Sequence, residues 1–340
     1  MTSDGTFAAA DFALQAGGCL PCARLVFRTH GRLDVRRDNA ILFPTWFCAH
    51  HPQLEWLIGE AMALDPSRYF IVTVNIIGNG LSSSPSNTPP PFDRARFPLV
   101  SLLDNVRLQQ RMLAERWGIE RLALVIGRSM GAQIAFQWAS YFPERVERML
   151  ALAGSARTSP HNYVFLAAVK GAIADHPDFR GGEYREQPQA ALRQVQLIYD
   201  GWVLSQEYYR RGLHLKAGFA STQAYLDRPL GGTPRDANDV LAQIATWQNA
   251  DISRNERFNG DLPRALGAIR ARSIVMPSQT DLYFPPEDSM AEVASMPAAE
   301  LRVIPSVWGH RAGAPGGDPR DIAFIDRAVG DLLRGHEASR

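Results

Sequence analysis

The sequence is short of long apolar runs, of cysteine and of charge imbalance, and each shortage removes a class of protein. No apolar stretch approaches the ~20 residues that a membrane-spanning helix needs. The 36 Lys and Arg residues nearly balance 35 Asp and Glu, for a formal net charge of +1. No strongly basic or acidic face is implied, so neither nucleic acid nor an anionic membrane is an expected partner. The three cysteines, Cys19, Cys22 and Cys48, are too few for a disulfide framework. Cys19-Leu20-Pro21-Cys22 has redox spacing. It does not sit at a strand-to-helix junction, and no second pair completes a zinc site. It reads as two thiols near the first strands. Residues 1–10 lack a basic segment followed by an apolar one, so no cleaved secretory signal is expected and the cytoplasm is the expected location. There is no internal repeat. Gly78-Asn79-Gly80 lacks the third glycine of a dinucleotide fingerprint and opens no helix. No metal and no cofactor is expected.

What the sequence does contain is a pentapeptide, Gly127-Arg128-Ser129-Met130-Gly131. It lies between the apolar run 122–126 and the amphipathic stretch 132–141. This is G-x-S-x-G in a strand–turn–helix context, the nucleophile elbow of α/β-hydrolases. Such a turn is too tight for side chains beside the serine, which explains the two glycines. It lifts one hydroxyl above a sheet, at a helix N-terminus whose free N–H groups stabilise negative charge.

The rest of the 340 residues fits that frame, with room for a large core and an insertion. Strands are expected at 24–29, 40–43, 69–75 and 148–153, and helices at 53–64 and 102–117. Between 78 and 98 runs a loop dense in Gly, Ser and Pro, long enough to be functional rather than a simple connection. From about 158 to 258 the chain is helical in pattern and aromatic-rich, with its clearest segments at 163–173, 187–203 and 240–252. Strand–helix alternation resumes with 266–270 and 273–276, a helix around 286–294, a strand at 301–304 and a last helix at 321–333. The expected fold is therefore α/β, a mostly parallel sheet with helices on both faces. Its core comprises 1–157 and 259–340, interrupted by a helical lid at 158–258.

A serine hydroxyl attacks only when a base takes its proton and a third group holds that base. In α/β-hydrolases the order is Ser, acid, His, with acid and base after late strands. Asp281 follows the strand 273–276, and His310 follows 301–304 in a Gly-His turn. The other seven histidines lack that placement. Asp288 rivals Asp281 but reads as a solvated position on the following helix. A hydrolase scaffold without chemistry is the bland alternative, and the presence of all three members argues against it. A tetrahedral intermediate needs two N–H donors. Met130 is the expected first. The second should come from Pro44-Thr45-Trp46-Phe47, with Phe47 in first place and Trp46 in second. Either aromatic can also simply wall the pocket.

The sequence resembles the homoserine O-acetyltransferase branch of the α/β-hydrolase superfamily over most of its length. The resemblance rests on Arg37-Asp38-Asn39-Ala40-Ile41-Leu42, Gly78-Asn79-Gly80-Leu81-Ser82-Ser83-Ser84-Pro85, the elbow itself, Ser155-Ala156-Arg157-Thr158-Ser159-Pro160 and Asp281-Leu282-Tyr283-Phe284-Pro285-Pro286-Glu287. It implies a helical lid over a tunnel to the serine, a homodimer through lid helices, and Asp281 rather than Asp288 as the acid.

The departures are equally informative. The family's usual Gly-His-Asp places an aspartate on the substrate ammonium; here that position is Arg311, which would repel an ammonium. Gly-Gly-Ser-Met-Gly-Gly becomes Gly-Arg-Ser-Met-Gly-Ala, and the lid's Phe-Asn-x-x-x-Arg becomes Phe165 to Lys170 without the asparagine. Arg193 aligns only ambiguously with the lid arginine. Pro44-Thr45-Trp46-Phe47 is more like the family's esterase subgroup. The expectation is a serine esterase acting on small, short-acyl esters, with Trp46 and Arg311 at its substrate pocket. The alternative is an O-acyltransferase from acyl-CoA to an alcohol other than homoserine.

Overall fold

The computed structural model describes residues 1–229 and 235–337, with side chains described as far as Arg334. The expected segments 158–258 and 259–340 therefore include residues, 230–234 and 338–340, that lie outside the described ones.

Eight strands form one sheet in the order β1-β2-β4-β3-β5-β6-β7-β8. Strands β3 (Ala40–Pro44), β4 (Phe70–Val74), β5 (Leu124–Arg128) and β6 (Arg148–Leu152) are buried at every residue. Strands β7 (Arg272–Met276) and β8 (Ala299–Leu301) complete the parallel set. Runs such as Phe70-Ile71-Val72-Thr73-Val74 suit strands covered by helices on both sides. Alternate residues divide the core. Leu42 and Val72 pack with α1 (Leu102–Trp117) and α2 (Met130–Tyr141), whereas Ile41, Phe43 and Ile71 pack with Ile325, Val329 and Leu332 of the last helix. Helix α1 has the expected bounds because its ends are written locally. Ser101 and Asp104 form a reciprocal cap, and Gly118 closes the helix at φ 62°.

Between β6 and β7 come α3 (Pro160–Ala174), α4 (Gln189–Val203), α5 (Gln206–Arg210), α6 (Leu213–Lys216), α7 (Thr222–Leu226), α8 (Ala237–Gln248) and α9 (Leu262–Gly267). Helices α10 (Pro286–Val293) and α11 (Pro319–Glu337) follow β7 and β8. Among the described residues no helix is long and apolar enough to cross a membrane.

Four local expectations need correction. Residues 2–13, read above only for a leader, form β1 (Thr2–Ala13), paired antiparallel with β2 (Cys19–His30). The expected helix at 53–64 is a short 3-10 helix, His51–Leu57. Gly59 then turns the chain, and Ile58 bridges Leu64. Residues 266–270 complete α9 and the turn after it, since Asp261 caps that helix and Pro263 starts it. In 301–304 only Leu301 belongs to β8; Ile304 makes a single bridge to Ser278. Cys19 and Cys22 lie on β2, exposed and free.

Candidate active site

The elbow joins β5 to α2. Ser129 has φ 55° and ψ −125°, a conformation rare for a residue with a side chain and costing about 1–3 kcal/mol. Its N–H donates to Leu152 O at 2.8 Å, and its carbonyl accepts from Ala132 N at 2.9 Å. The flanking glycines are required by close approach. A Cβ on Gly127 would lie 2.0 Å from Gly131 O, and one on Gly131 would lie 2.7 Å from Pro44 O.

The three residues singled out in the sequence come together. His310 Nδ1 is 2.7 Å from Asp281 Oδ2, and His310 Nε2 is 2.9 Å from Ser129 Oγ. The second oxygen of Asp281 accepts the N–H groups of Tyr283 at 2.8 Å and Phe284 at 3.2 Å, so the carboxylate is aimed by its own loop. Asp288 instead sits in the first turn of α10. Burial holds the His310 imidazole below its usual pKa; Asp281 opposes this and the Arg128 charge adds to it. The ring is therefore neutral near pH 7, the form that accepts a proton. Thr280 ties the two loops together. Its hydroxyl donates to Ser306 O at 2.9 Å and accepts from Gly309 N at 3.0 Å.

At the elbow, the amide of Met130 opens α2, where the helix itself offers no partner. The loop after β3 comes close, with Thr45 O 3.2 Å from the position of a Cβ on Gly131. In that loop the N–H groups of Thr45, Cys48 and Ala49 bond to Val74 O, Gln243 Oε1 and Trp46 O. These bonds use neither the Trp46 nor the Phe47 amide.

Aromatic rings surround the base. Tyr283 lies edge-on to His310 at 4.7 Å and Phe284 lies at 5.6 Å. Trp202 of α4 and Phe165 of α3 pack on Tyr283 at 6.3 and 4.6 Å. Phe47 stacks on Tyr199 at 5.8 Å. The hydroxyls of Tyr199 and Tyr283 are buried without a partner among the described residues. Burial pushes both phenols well above their usual pKa, so they stay protonated as donors.

Arg311, expected at the pocket, is exposed, and its guanidinium donates to Pro315 O at 3.3 Å. Arg128, by contrast, is buried, 5 % exposed, and donates through Nη2 to the His310 carbonyl. Arg193 bonds the carbonyls of Leu226 and Arg228, bracing α4 against the segment after α7. Residues missed in the sequence are thus Arg128, Thr280, Tyr199 and Tyr283. Of these, Arg128 carried a signal as a bulky charged residue inside the elbow, and Tyr283 as part of the motif that follows Asp281. Among the described residues no cluster of His, Cys, Asp or Glu could hold a metal ion.

Known proteins resemble this chain over most of its length. Residues 41–312 match the model of the alpha/beta hydrolase fold family. An ethyl acetate hydrolase of Pseudomonas veronii is 40% identical over 327 residues, covering 94% of this chain and 92% of its own. The crystal structure of the acetyl esterase MekB superposes with a TM-score of 0.94 at 38% identity, covering 98% of this chain and 97% of that one. A homoserine O-acetyltransferase of Thermobifida fusca is 31% identical, covering 87% of this chain and 86% of its own. The chain belongs to the α/β-hydrolase family, in the branch that holds homoserine O-acetyltransferases, and within that branch it is most like the esterases. Its enzyme class is serine ester hydrolase.

Proposed function

We propose that this enzyme hydrolyses small carboxylic esters of the acetate type through an acyl-enzyme on Ser129. The observation that carries the proposal is the hydrogen-bonded line from Asp281 through His310 to Ser129 Oγ. His310, oriented by Asp281, takes the hydroxyl proton as Oγ bonds to the ester carbonyl carbon. The oxyanion rests on the N–H of Met130 and on one from the adjacent loop, Phe47 in first place and Trp46 in second. His310 then gives its proton to the departing alcohol as the C–O bond breaks. Water, deprotonated by the same imidazole, attacks the acyl carbon; the bond from that carbon to Oγ breaks, the imidazolium returns its proton to Oγ, and the acid leaves.

The helical segment 158–258 acts as the lid. Its rings Phe165 and Trp202 pack on Tyr283, the ring beside His310, and together these favour small, apolar acyl and alcohol groups. The names of the ethyl acetate hydrolase and the acetyl esterase support that size range. Tyr163 and Val164 of α3 and Leu197 of α4 are exposed, and they supply apolar surface for a homodimer through lid helices.

The test is release of p-nitrophenol from p-nitrophenyl acetate, followed by incubation with acetyl-CoA and candidate alcohols. Steady turnover in water, lowered by several orders of magnitude in Ser129→Ala, is expected. Negligible ester hydrolysis, with CoA released only when an alcohol is present, would make the enzyme an acyltransferase. The relationship to a homoserine O-acetyltransferase keeps that second reading in view.

A further inference from the structure

Arg128 occupies the last position of β5, next to Ser129, and is 5 % exposed. A guanidinium in that position is expensive unless its charge and its five N–H groups are used. Among the described residues no carboxylate forms an ion pair with it, and its Nε has no hydrogen-bond partner. What it does hold is informative. Nη2 donates to the main-chain carbonyl of His310, and the guanidinium carbon lies 5.4 Å from the centre of the Trp46 ring. One side chain, rooted beside the serine, thus reaches both the turn that carries the base and the loop that follows β3. These segments are far apart in sequence, and no other hydrogen bond described here joins Arg128's strand to the His310 main chain.

We propose that Arg128 is a positioning residue for the Ser129 reaction, a strut that fixes the His310 main chain and the Trp46 loop to the elbow. The inference rests on the reading of Ser129 and His310 given above. A planar guanidinium suits the task because it can donate along its edge and stack through its face at once; an ammonium cannot. The positive charge has a second consequence. The groups facing His310 are Asp281, Ser129, the Tyr283 ring and Arg128; those facing Arg128 also include Arg311. Burial disfavours the imidazolium and Asp281 favours it; the Arg128 charge adds to burial in keeping the base unprotonated between turnovers.

The experiment is the pH dependence of kcat/KM for p-nitrophenyl acetate, with thermal melting, on the full chain and its Arg128→Gln and Arg128→Lys variants. Arg128→Gln is expected to lose roughly ten- to a hundredfold, mostly in kcat. Its acidic limb should move to higher pH, because the imidazole protonates more easily without the neighbouring charge. Arg128→Lys should lose kcat while keeping the limb close to that of the parent. A folded Arg128→Gln enzyme with an unmoved limb and a kcat within about twofold overturns the proposal. Should Arg128→Gln not fold, a folded Arg128→Lys enzyme with unchanged kcat overturns it. Should neither fold, Trp46→Leu, which frees the guanidinium from its ring, must lower kcat, and an unchanged kcat overturns the strut. Ser129→Ala, measured in parallel, separates the two claims. Activity surviving there removes the underlying reading, whereas an inactive Ser129→Ala with an unmoved Arg128→Gln profile removes only the strut.

Discussion

The Gly309→Ala substitution probes how the helical segment and the base are fitted together. Gly309 precedes His310 and has φ +57°, in the region that residues with a Cβ avoid. Forcing alanine into it costs about 1–2 kcal/mol. The added Cβ would also lie 2.9 Å from both Ser205 N and Val203 O, and 3.1 Å from Leu204 C. All three are main-chain atoms at the end of α4, so no rotamer change relieves the contact. Overpacking of that kind adds roughly 1–3 kcal/mol. The sum, about 2–5 kcal/mol, corresponds to a fall in Tm of roughly 3–7 °C for a chain of this size. The damage should also reach the chemistry. Gly309 N donates to Thr280 Oγ1 at 3.0 Å, the link that ties the turn carrying His310 to the loop carrying Asp281. Relief by movement of that turn displaces His310 Nε2 from Ser129 Oγ, and a shift near 1 Å costs about a hundredfold in rate. Calorimetry and kcat for p-nitrophenyl acetate measure the two effects. A variant that melts within about 1 °C of the parent and keeps its kcat within about twofold would refute the reasoning.

Two further predictions concern charge. Glu292 is buried; one oxygen accepts from Ala156 N at 2.7 Å and the other has no partner, and burial pushes its pKa up to about 8. A folded-state pKa raised above the unfolded one contributes stability that is whole below about pH 4.5 and lost as pH rises through about 8. Urea unfolding should show a decline of a few kcal/mol across that window. Glu292→Gln should make the decline shallower without abolishing it, because Asp239, whose burial pushes its pKa to about 7, contributes a comparable part. A slope identical in parent and variant contradicts this. For Arg311, whose exposed guanidinium bonds Pro315 O, Arg311→Asp should keep kcat/KM for p-nitrophenyl acetate within about twofold. A loss beyond tenfold would put Arg311 in the machinery of the site.

The features legible in the sequence are those whose constraints are local. Ser129 was readable because its turn demands glycine on both sides, and the close approaches at Gly127 and Gly131 are that demand in atomic form. Asp281 and His310 were readable because each follows a strand end in the order the fold requires. Helix α1 was readable because Ser101, Asp104 and Gly118 mark its ends. The misses have non-local causes. Strand β1 depends on pairing with β2, and its Ala-rich run hides the inward positions Phe7, Ala9 and Phe12. The 3-10 helix at His51–Leu57 is held partly by Asn75, whose Oδ1 accepts from His51 N at 3.0 Å. Arg128 was visible as an oddity, but its partners, the His310 carbonyl and the Trp46 ring, are set by the folded chain alone.

The most direct test of the central claim is peptide mapping by mass spectrometry after rapid acid quench of the enzyme turning over p-nitrophenyl acetate. An acetyl group is expected on the peptide that carries Ser129, present during turnover and lost as acetate once substrate is exhausted. Turnover in water with no acetyl group on Ser129, or with the acetyl group on another residue, would contradict it.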